Sequence, residues 1–299
     1  GAGLAWLTSL TPAGAEKLFA SEVLFAAAYL DPKGAYAVAI LDEAGAIVST
    51  HPLPGRGHGF AAGPQAEWLY AAENAFETGE GIIGVYDVTD GFSRISEFAT
   101  HGVGPHEIVL MPDGKTLCVA NGGIRTHPDQ GRQKLNLPTM APSMVFIDTA
   151  TGALLSSHAL PARLHRLSLR HMAVDASHQV WIGGQYEGDV FDEVPVLAKL
   201  HEDLGLVSVE LEDRVAAALG KYAGSVAIGN DGVTLAVASP RSGVVITLDT
   251  LTGKALSIDT KPGTCGVQAR RDGFVSSSET GRFGAASHDV AWDNHIAII

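Results

Sequence analysis

Among the 12 histidines of the chain, four recur in one kind of phrase: GHGFAAG (His58), PHEIVLM (His106), RHMAVDA (His171) and NHIAII (His295). Each phrase is a polar lead-in, a histidine, then alternating apolar residues. Two weaker copies, GSVAIGN at Ser225 and CGVQARR around Gly266, bring the set to six. Neutral imidazole is a good ligand for iron, copper, zinc and nickel. Imidazoles carried on separate strands can reach one ion without any fixed spacing along the chain, unlike a zinc finger, where spacing is itself the signal. His58, His106, His171 and His295 are therefore candidate ligands of a transition metal. Arg56 and Arg170 stand beside two of these phrases, and Glu107 follows His106. The arginines oppose a bare cation and suit an anionic ligand, such as a carboxylate or a small metal–chelate complex. Arg56, Glu107 and Arg170 are the candidate contacts to it. Glu107, Glu73 and Asn121 are also candidates to accept the second ring nitrogen of a ligating histidine. Against this stands a structural reading: a histidine just ahead of a strand can hydrogen-bond between sheets, and period-two alternation can turn its ring into packing.

The elements that carry these phrases read as short strands. Alternating apolar and polar residues over 5–8 positions dominate, with turn signals at close intervals. MPDG (111–114), DTATG (148–152), GNDG (229–232) and DTLTG (249–253) are among them. PHEIVLM, KTLCVAN, PSMVFID and ALLSSHAL form a four-stranded antiparallel meander, and blocks two, four and five repeat it. That is one propeller blade, at a period of about 40–50 residues. Block one begins without its first strand, while NHIAII ends the chain with no blade after it. The economical solution is an all-β, single β-propeller of six blades over 21–299, its C-terminal strand closing blade one and removing free sheet edges. Seven blades are the alternative, because the stretch from Gly266 to the end is short for a full blade and residues 1–20 have no assignment. In such a ring the four histidines open the innermost strands of adjacent blades. The polar segment 121–142 interrupts blade three between its second and third strands, and is far longer than a hairpin needs. His127, Asp129, Arg125 and Arg132 lie in it, and His101 just precedes the same blade. The one helical stretch of note is DRVAAALGKY (213–222), a connection.

Composition narrows the function classes. Hydrophobic content of 46%, charged content of 18%, 35 glycines and 14 prolines fit a globular chain of many tight turns. A net charge of −13 disfavours nucleic acid and anionic membranes as partners. No apolar run approaches the roughly 18–20 residues of a membrane helix. The opening GAGLAWLTSLTPAGAEKLFAS lacks the basic start of a signal peptide, and a start without methionine fits either a mature, processed form or a trimmed chain. Cys118 reads as a buried apolar side chain; a bridge to Cys265 is open. There is no G-x-S-x-G elbow, H-E-x-x-H, Walker loop or dinucleotide fingerprint, and FVSSSETG (274–281) reads as strand and turn.

HGVGPHEIVLMPDGKTLCVANGGIRTHPDQGRQKLN, with LSLRHMAV, GRGHGFA, GIIGVYDV, YAGSVA and the terminal WDNH, closely resembles a bacterial family, the domain-of-unknown-function family fifteen-thirteen, over nearly the whole chain. The resemblance implies a β-propeller exported by a twin-arginine signal to the periplasm. It also implies a neighbourhood of imelysin-like and dihaem-oxidoreductase-like proteins in iron-responsive clusters, hence a role in metal acquisition. It supplies no catalytic residues. PHEIVLMPDGKTLCVAN is similar, more distantly, to YVTN-like propeller repeats. The expected function is a monomeric periplasmic propeller that binds a metal ion or small anionic metal complex at its channel mouth and serves imelysin-like uptake proteins. The alternatives are a metal-dependent hydrolase or oxidoreductase using the same channel, and an interaction scaffold with structural histidines.

Overall fold

The structure, a computed structural model, describes residues 25–30, 36–42, 44–52, 59–63, 68–75, 77–87, 93–130, 133–201 and 204–298. The segment 1–20, Arg56, His58 and Arg132 lie outside them, as does the side chain of His295. Among the described residues, strands group into six antiparallel sheets of four. Sheet one holds β1 (Phe25–Leu30), β2 (Tyr36–Leu41) and β3 (Ile47–Pro52). Sheet two holds β4 (Phe60–Ala62), β5 (Trp68–Ala75), β6 (Glu80–Asp87) and β7 (Ser93–Ala99). Sheet three is β8 (Pro105–Leu110), β9 (Thr116–Asn121), β10 (Ser143–Asp148) and β11 (Leu154–His158). Sheet four is β12 (Leu167–Val174), β13 (Val180–Tyr186), β14 (Leu197–His201) and β15 (Gly205–Ser208). The helix α1 (Asp213–Leu219) leads to sheet five, which is β16 (Ser225–Ile228), β17 (Thr234–Ser239), β18 (Val244–Asp249) and β19 (Ala255–Thr260). Sheet six is β20 (Thr264–Arg270), β21 (Gly273–Ser278) and the two-residue strands β22 (Arg282–Phe283) and β23 (Ala286–Ser287). The last strand, β24 (Ala291–Ile298), pairs antiparallel with β1 and completes sheet one. The C-terminal phrase thus supplies the first strand that block one lacks.

The described chain falls into two compact units. The first runs from His58 to Leu211 with Lys221–Ala223 and carries sheets two, three and four; the second carries sheets one, five and six with α1. Within the first unit the sheets stack face to face, and β9 shows how one strand serves two neighbours. Its Leu117 and Val119 pack with Tyr70, Ile83 and Val85 of sheet two. Its Cys118 and Ala120 pack with Leu169, Met172 and Ile182 of sheet four. Period-two alternation sends odd and even residues to opposite faces, both covered, so TLCVAN has no polar residue between its ends. The fourth strands β7 and β19 are mostly exposed. In the second unit Ala227, Ala236 and Val245 of sheet five pack on Val267 of sheet six, and Val275 and Phe283 pack on Ala39, Leu41 and Trp292.

The hairpin turns obey local chemistry. Asp113 Oδ1 accepts from the amides of Lys115 (2.8 Å) and Thr116 (2.9 Å), while its Oδ2 accepts from the Thr116 hydroxyl (2.7 Å). Asp231 repeats this with Val233 and Thr234 in the second unit. Such aspartate turns are why Asp-Gly pairs punctuate the sequence.

The long segment between β9 and β10 is a pinned loop. Arg125 N–H donates to Asn136 Oδ1 (2.7 Å), Asn136 Nδ2 to Gly123 O (2.8 Å), and Arg125 Nη2 to Thr78 O (2.9 Å). The open question of a Cys118–Cys265 bridge is answered: Cys118 is a free thiol, fully buried between sheets three and four. Burial, with the nearby Glu107 carboxylate, pushes that thiol far up and leaves it unreactive. Among the described residues no helix is long and apolar enough to cross a membrane.

Candidate functional site

The hairpin bonds decide which phrase residues correspond. Met111 N–H donates to Thr116 O (2.8 Å) in sheet three, Asp175 N–H to Gln179 O (3.0 Å) in sheet four, and Gly229 N–H to Thr234 O (2.8 Å) in sheet five. Counting back from these bonds, His106 corresponds to Arg170 and to Gly224, whereas Glu107 corresponds to His171 and to Ser225. Aligned on their histidines, the phrases of His106 and His171 are therefore one residue out of register. The strand after His171 reaches its turn one residue sooner than the strand after His106.

The backbone marks the same positions. Along β8, Pro105 pairs with Asn121 and Glu107 with Ala120, so His106 is an extra residue. Along β12, Leu169 pairs with Gly184 and His171 with Gly183, so Arg170 is the extra one. A β-bulge breaks alternation and re-aims side chains, and bulges gather beside functional sites. That is why neighbours in sequence, His106 with Glu107 and Arg170 with His171, can all join one cluster.

The cluster is a chain of polar contacts across the β8–β12 seam. Arg170 Nη1 donates to His106 Nε2 at 3.2 Å. This makes Nε2 the acceptor and places the proton of the neutral ring on Nδ1. The His106 and His171 rings meet edge to face, centroids 4.8 Å apart at 81°. His171 Nδ1 lies 3.3 Å from Glu107 Oε2, which also accepts the Met172 amide at 2.7 Å. On the other side Arg170 Nη2 lies 3.8 Å from Glu187 Oε1, and Glu187 Oε2 pairs with Lys134 Nζ. The side chains of His171 (4% exposed) and Glu187 (8%) are buried, while Arg170 (17%) and Lys134 (33%) reach toward water. Two cations, two carboxylates and two imidazoles thus share one strip, in which Lys134, Glu107 (26%) and Arg170 reach toward water while His171 and Glu187 are covered.

Of the residues singled out in sequence, the structure brings His106, Glu107, Arg170 and His171 together. His295 sits in β24, where Ala27 pairs with Ile296 and Tyr29 with Trp292, so its backbone too lies in an irregular stretch. Glu73 is engaged inside sheet two, accepting from Tyr86 OH (2.5 Å) and Arg94 Nη1 (2.8 Å). Burial and that carboxylate push the Tyr86 phenol up to about 12. Asn121 Nδ2 donates to Thr100 O (3.1 Å) and Ser143 Oγ (3.3 Å), a brace for the loop entering β8. His127 lies 3.6 Å from Asp129 within the loop. Lys134 and Glu187 are the members that sequence reading missed. Lys134 lies inside the segment already marked as too long for a hairpin, whereas nothing local to Glu187 announces its role.

A metal is tested on the same atoms. Among the described residues no three His, Cys, Asp or Glu side chains assemble as a metal-ligand set. The lone pair of His106 Nε2 that a metal would need already faces a guanidinium. This concerns His106, Glu107, Arg170 and His171 alone, because His58 and the side chain of His295 lie outside the described residues.

The family model described as protein of unknown function (DUF1513) matches residues 32–299. The chain belongs to this family. No curated protein matches it. Among solved structures, this DUF1513 chain is similar to hydrazine synthase of Kuenenia stuttgartiensis (15% identity, 91% of this chain and 82% of that one, TM-score 0.57). A nidogen/laminin complex matches at 11% identity over 92% and 97% of the two chains, TM-score 0.56. A functionally unknown protein from Desulfotomaculum acetoxidans DSM 771 matches at 11% over 87% and 74%, TM-score 0.54. At these identities the likeness is one of fold.

Proposed function

We infer that this DUF1513 protein is a ligand-binding six-bladed propeller whose β8–β12 seam takes a small anionic ligand. The observation that carries this reading is the Arg170 guanidinium at a bulged position, seated on His106 and flanked by Lys134 and Glu187. An incoming carboxylate or phosphate-like oxygen takes over the Arg170 donors, for which a planar guanidinium is suited. Glu187 then keeps Lys134 as its counter-ion, so no buried charge is stranded. The propeller reading rests on strand order and on the first strands. β4, β8 and β12 are neighbours in one unit, as are β16, β20 and β24 in the other. Iron or copper, with zinc as the alternative, enters as the cargo of an anionic chelate. The family resemblance supplies the periplasm and imelysin-like uptake proteins as setting and partners, with the protein itself a monomer.

Titration calorimetry with citrate, ferric citrate and inorganic phosphate tests this. Wild type binds at least one of them, and Arg170→Met weakens that binding tenfold or more, about 1.4 kcal/mol. Stoichiometric binding of bare Cu(II) or Zn(II) that needs His106 and ignores Arg170→Met would overturn it.

One further observation favours an enzymatic form of the reading. The Glu107–His171 pair beside His106 is a carboxylate-oriented imidazole next to the anion position, the kind of pair that moves protons on a bound substrate. Turnover of a bound anion that survives in His171→Gln would exclude it.

A further inference from the structure

A second concavity in the first unit, apart from the seam, has the build of a binding site. It encloses about 310 Å³ between the loop entering β8, the end of the long segment after β9, and the turn after β11. Its floor includes Met140 (4% exposed) and Leu164 (1%), with Pro142 and Leu160 in the wall. That volume is at the small end of ligand pockets and fits one ring with a short substituent. Two of the polar lining groups, Ser143 and His165, have their hydrogen-bond roles fixed from behind. Asn121 Nδ2 donates to Ser143 Oγ (3.3 Å), so the Ser143 hydroxyl keeps its own proton to give. His165 Nδ1 lies 3.1 Å from Ala162 O, a carbonyl that can only accept, so Nδ1 carries the proton and Nε2 of the neutral ring is an acceptor. The rim bears His101, an exposed non-glycine residue at φ +52°. That backbone is held in place because Gly102 packs against the Asn121 side chain, which a Cβ at Gly102 would meet at 2.4 Å. A left-handed non-glycine residue persists only where its surroundings over-determine it.

Ser157 and His101 are exposed lining groups, and the partly buried polar groups are Ser143, a donor, and His165, an acceptor. Together with the apolar floor they call for an apolar body with one polar head that both gives and takes a hydrogen bond. We propose that this pocket binds a small phenol, its hydroxyl donating to His165 and accepting from Ser143. The site is independent of the anion reading at Arg170.

The test is titration of the folded wild-type protein with 4-ethylphenol, followed by calorimetry and by amide shifts at Val103, Ala141 and Leu164. Saturable binding is expected in the micromolar to low millimolar range, as ligand efficiency allows for so few heavy atoms. 4-Ethylanisole, which lacks the donor, binds at least fivefold more weakly. Ala159→Trp, an exposed lining position whose indole fills the space, abolishes binding without lowering the melting temperature. His165→Phe reduces 4-ethylphenol to the level of 4-ethylanisole, while Arg170→Met leaves it unchanged. Equal affinity for the two probes, or binding that survives Ala159→Trp, overturns the proposal; so does the absence of saturable binding.

Discussion

The first strands of sheets three and five reach the same place with different chemistry. Glu107 and Ser225 occupy corresponding positions, and each accepts a backbone amide from the next first strand. Glu107 Oε2 takes Met172 N–H at 2.7 Å, and Ser225 Oγ takes Val267 N–H at 3.1 Å. The joint therefore recurs once in each unit, and a hydroxyl suffices for it. Among the described residues of the second unit, the one before Ser225 is Gly224, which has no side chain, and Gly266, facing Ile296 and Ser277, leaves no room for a Cβ. In the first unit the same joint uses a carboxylate, and the bulged positions beside it hold His106 and Arg170. A charge where a hydroxyl would serve costs desolvation unless it is paired. His171 is that pairing. What exceeds the structural need is the rest of the strip, Arg170, His106, Glu187 and Lys134, and the proposed anion site rests on this excess.

The largest expected effect falls on the charged joint. Glu107→Ala leaves the Met172 amide without its acceptor and removes the carboxylate beside His171, for a loss of about 2–4 kcal/mol in urea unfolding. Glu107→Gln keeps an acceptor oxygen and recovers more than half of that loss. If Glu107→Ala cost no more than a surface change, the joint would not be structural and the comparison would collapse. Ser225→Ala comes next, at about 1–2 kcal/mol, since the Val267 amide is equally buried but its lost partner is neutral. Because Ser225 belongs only to the joint, citrate and phosphate affinities stay at the wild-type value in that variant.

Lys134→Met sharpens the comparison from the other side. It frees Glu187 to compete fully for Arg170, so anion affinity falls about three- to tenfold while unfolding shifts by under about 1 kcal/mol. An unchanged titration would remove the long loop from the site.

Much of this was legible in the chain because blade grammar is local. Alternation in TLCVAN and VTLAVAS, Asp-Gly turns and the orphan strand NHIAII predict six meanders and their pairing with the N-terminal sheet. That His106, Glu107, Arg170 and His171 lie near one another was legible too, since bulged first strands keep polar residues ahead of apolar ones. Their correspondence was not. A bulge adds a residue without a sequence mark, and the turn after β12 comes one residue early, so aligning histidine on histidine slips the register. The Glu187–Lys134 pair joins residues far apart in sequence, each ordinary in its own surroundings, and only packing shows it.

The smallest effect concerns what the two units share. Thr234, through its hydroxyl and then its amide, together with the Val233 amide, holds the Asp231 carboxyl below its ordinary value of 3.8. At Asp113 burial works the other way, but the Lys115 and Thr116 amides and the Thr116 hydroxyl outweigh it, and the shift is again downward. A folded-state value below the unfolded one means stability that is present above the unfolded value, about 3.9, and lost as pH falls through the folded value. Both turns therefore leave stability flat from neutral pH to about 5 and contribute an acid limb only below it. Carboxyl carbon shifts followed by NMR should give both aspartates midpoints under 3.8, in the same direction in each unit. Asp113→Asn and Asp231→Asn should flatten the acid limb by similar small amounts, because both side chains are largely solvated and screened. Matching turns beside unequal joints would confine the difference between the units to the seam. If instead the Asp113 turn alone carried the acid limb, the units would differ in their general electrostatics, and the charged joint at Glu107 would lose its claim to be a local, functional departure from the repeat.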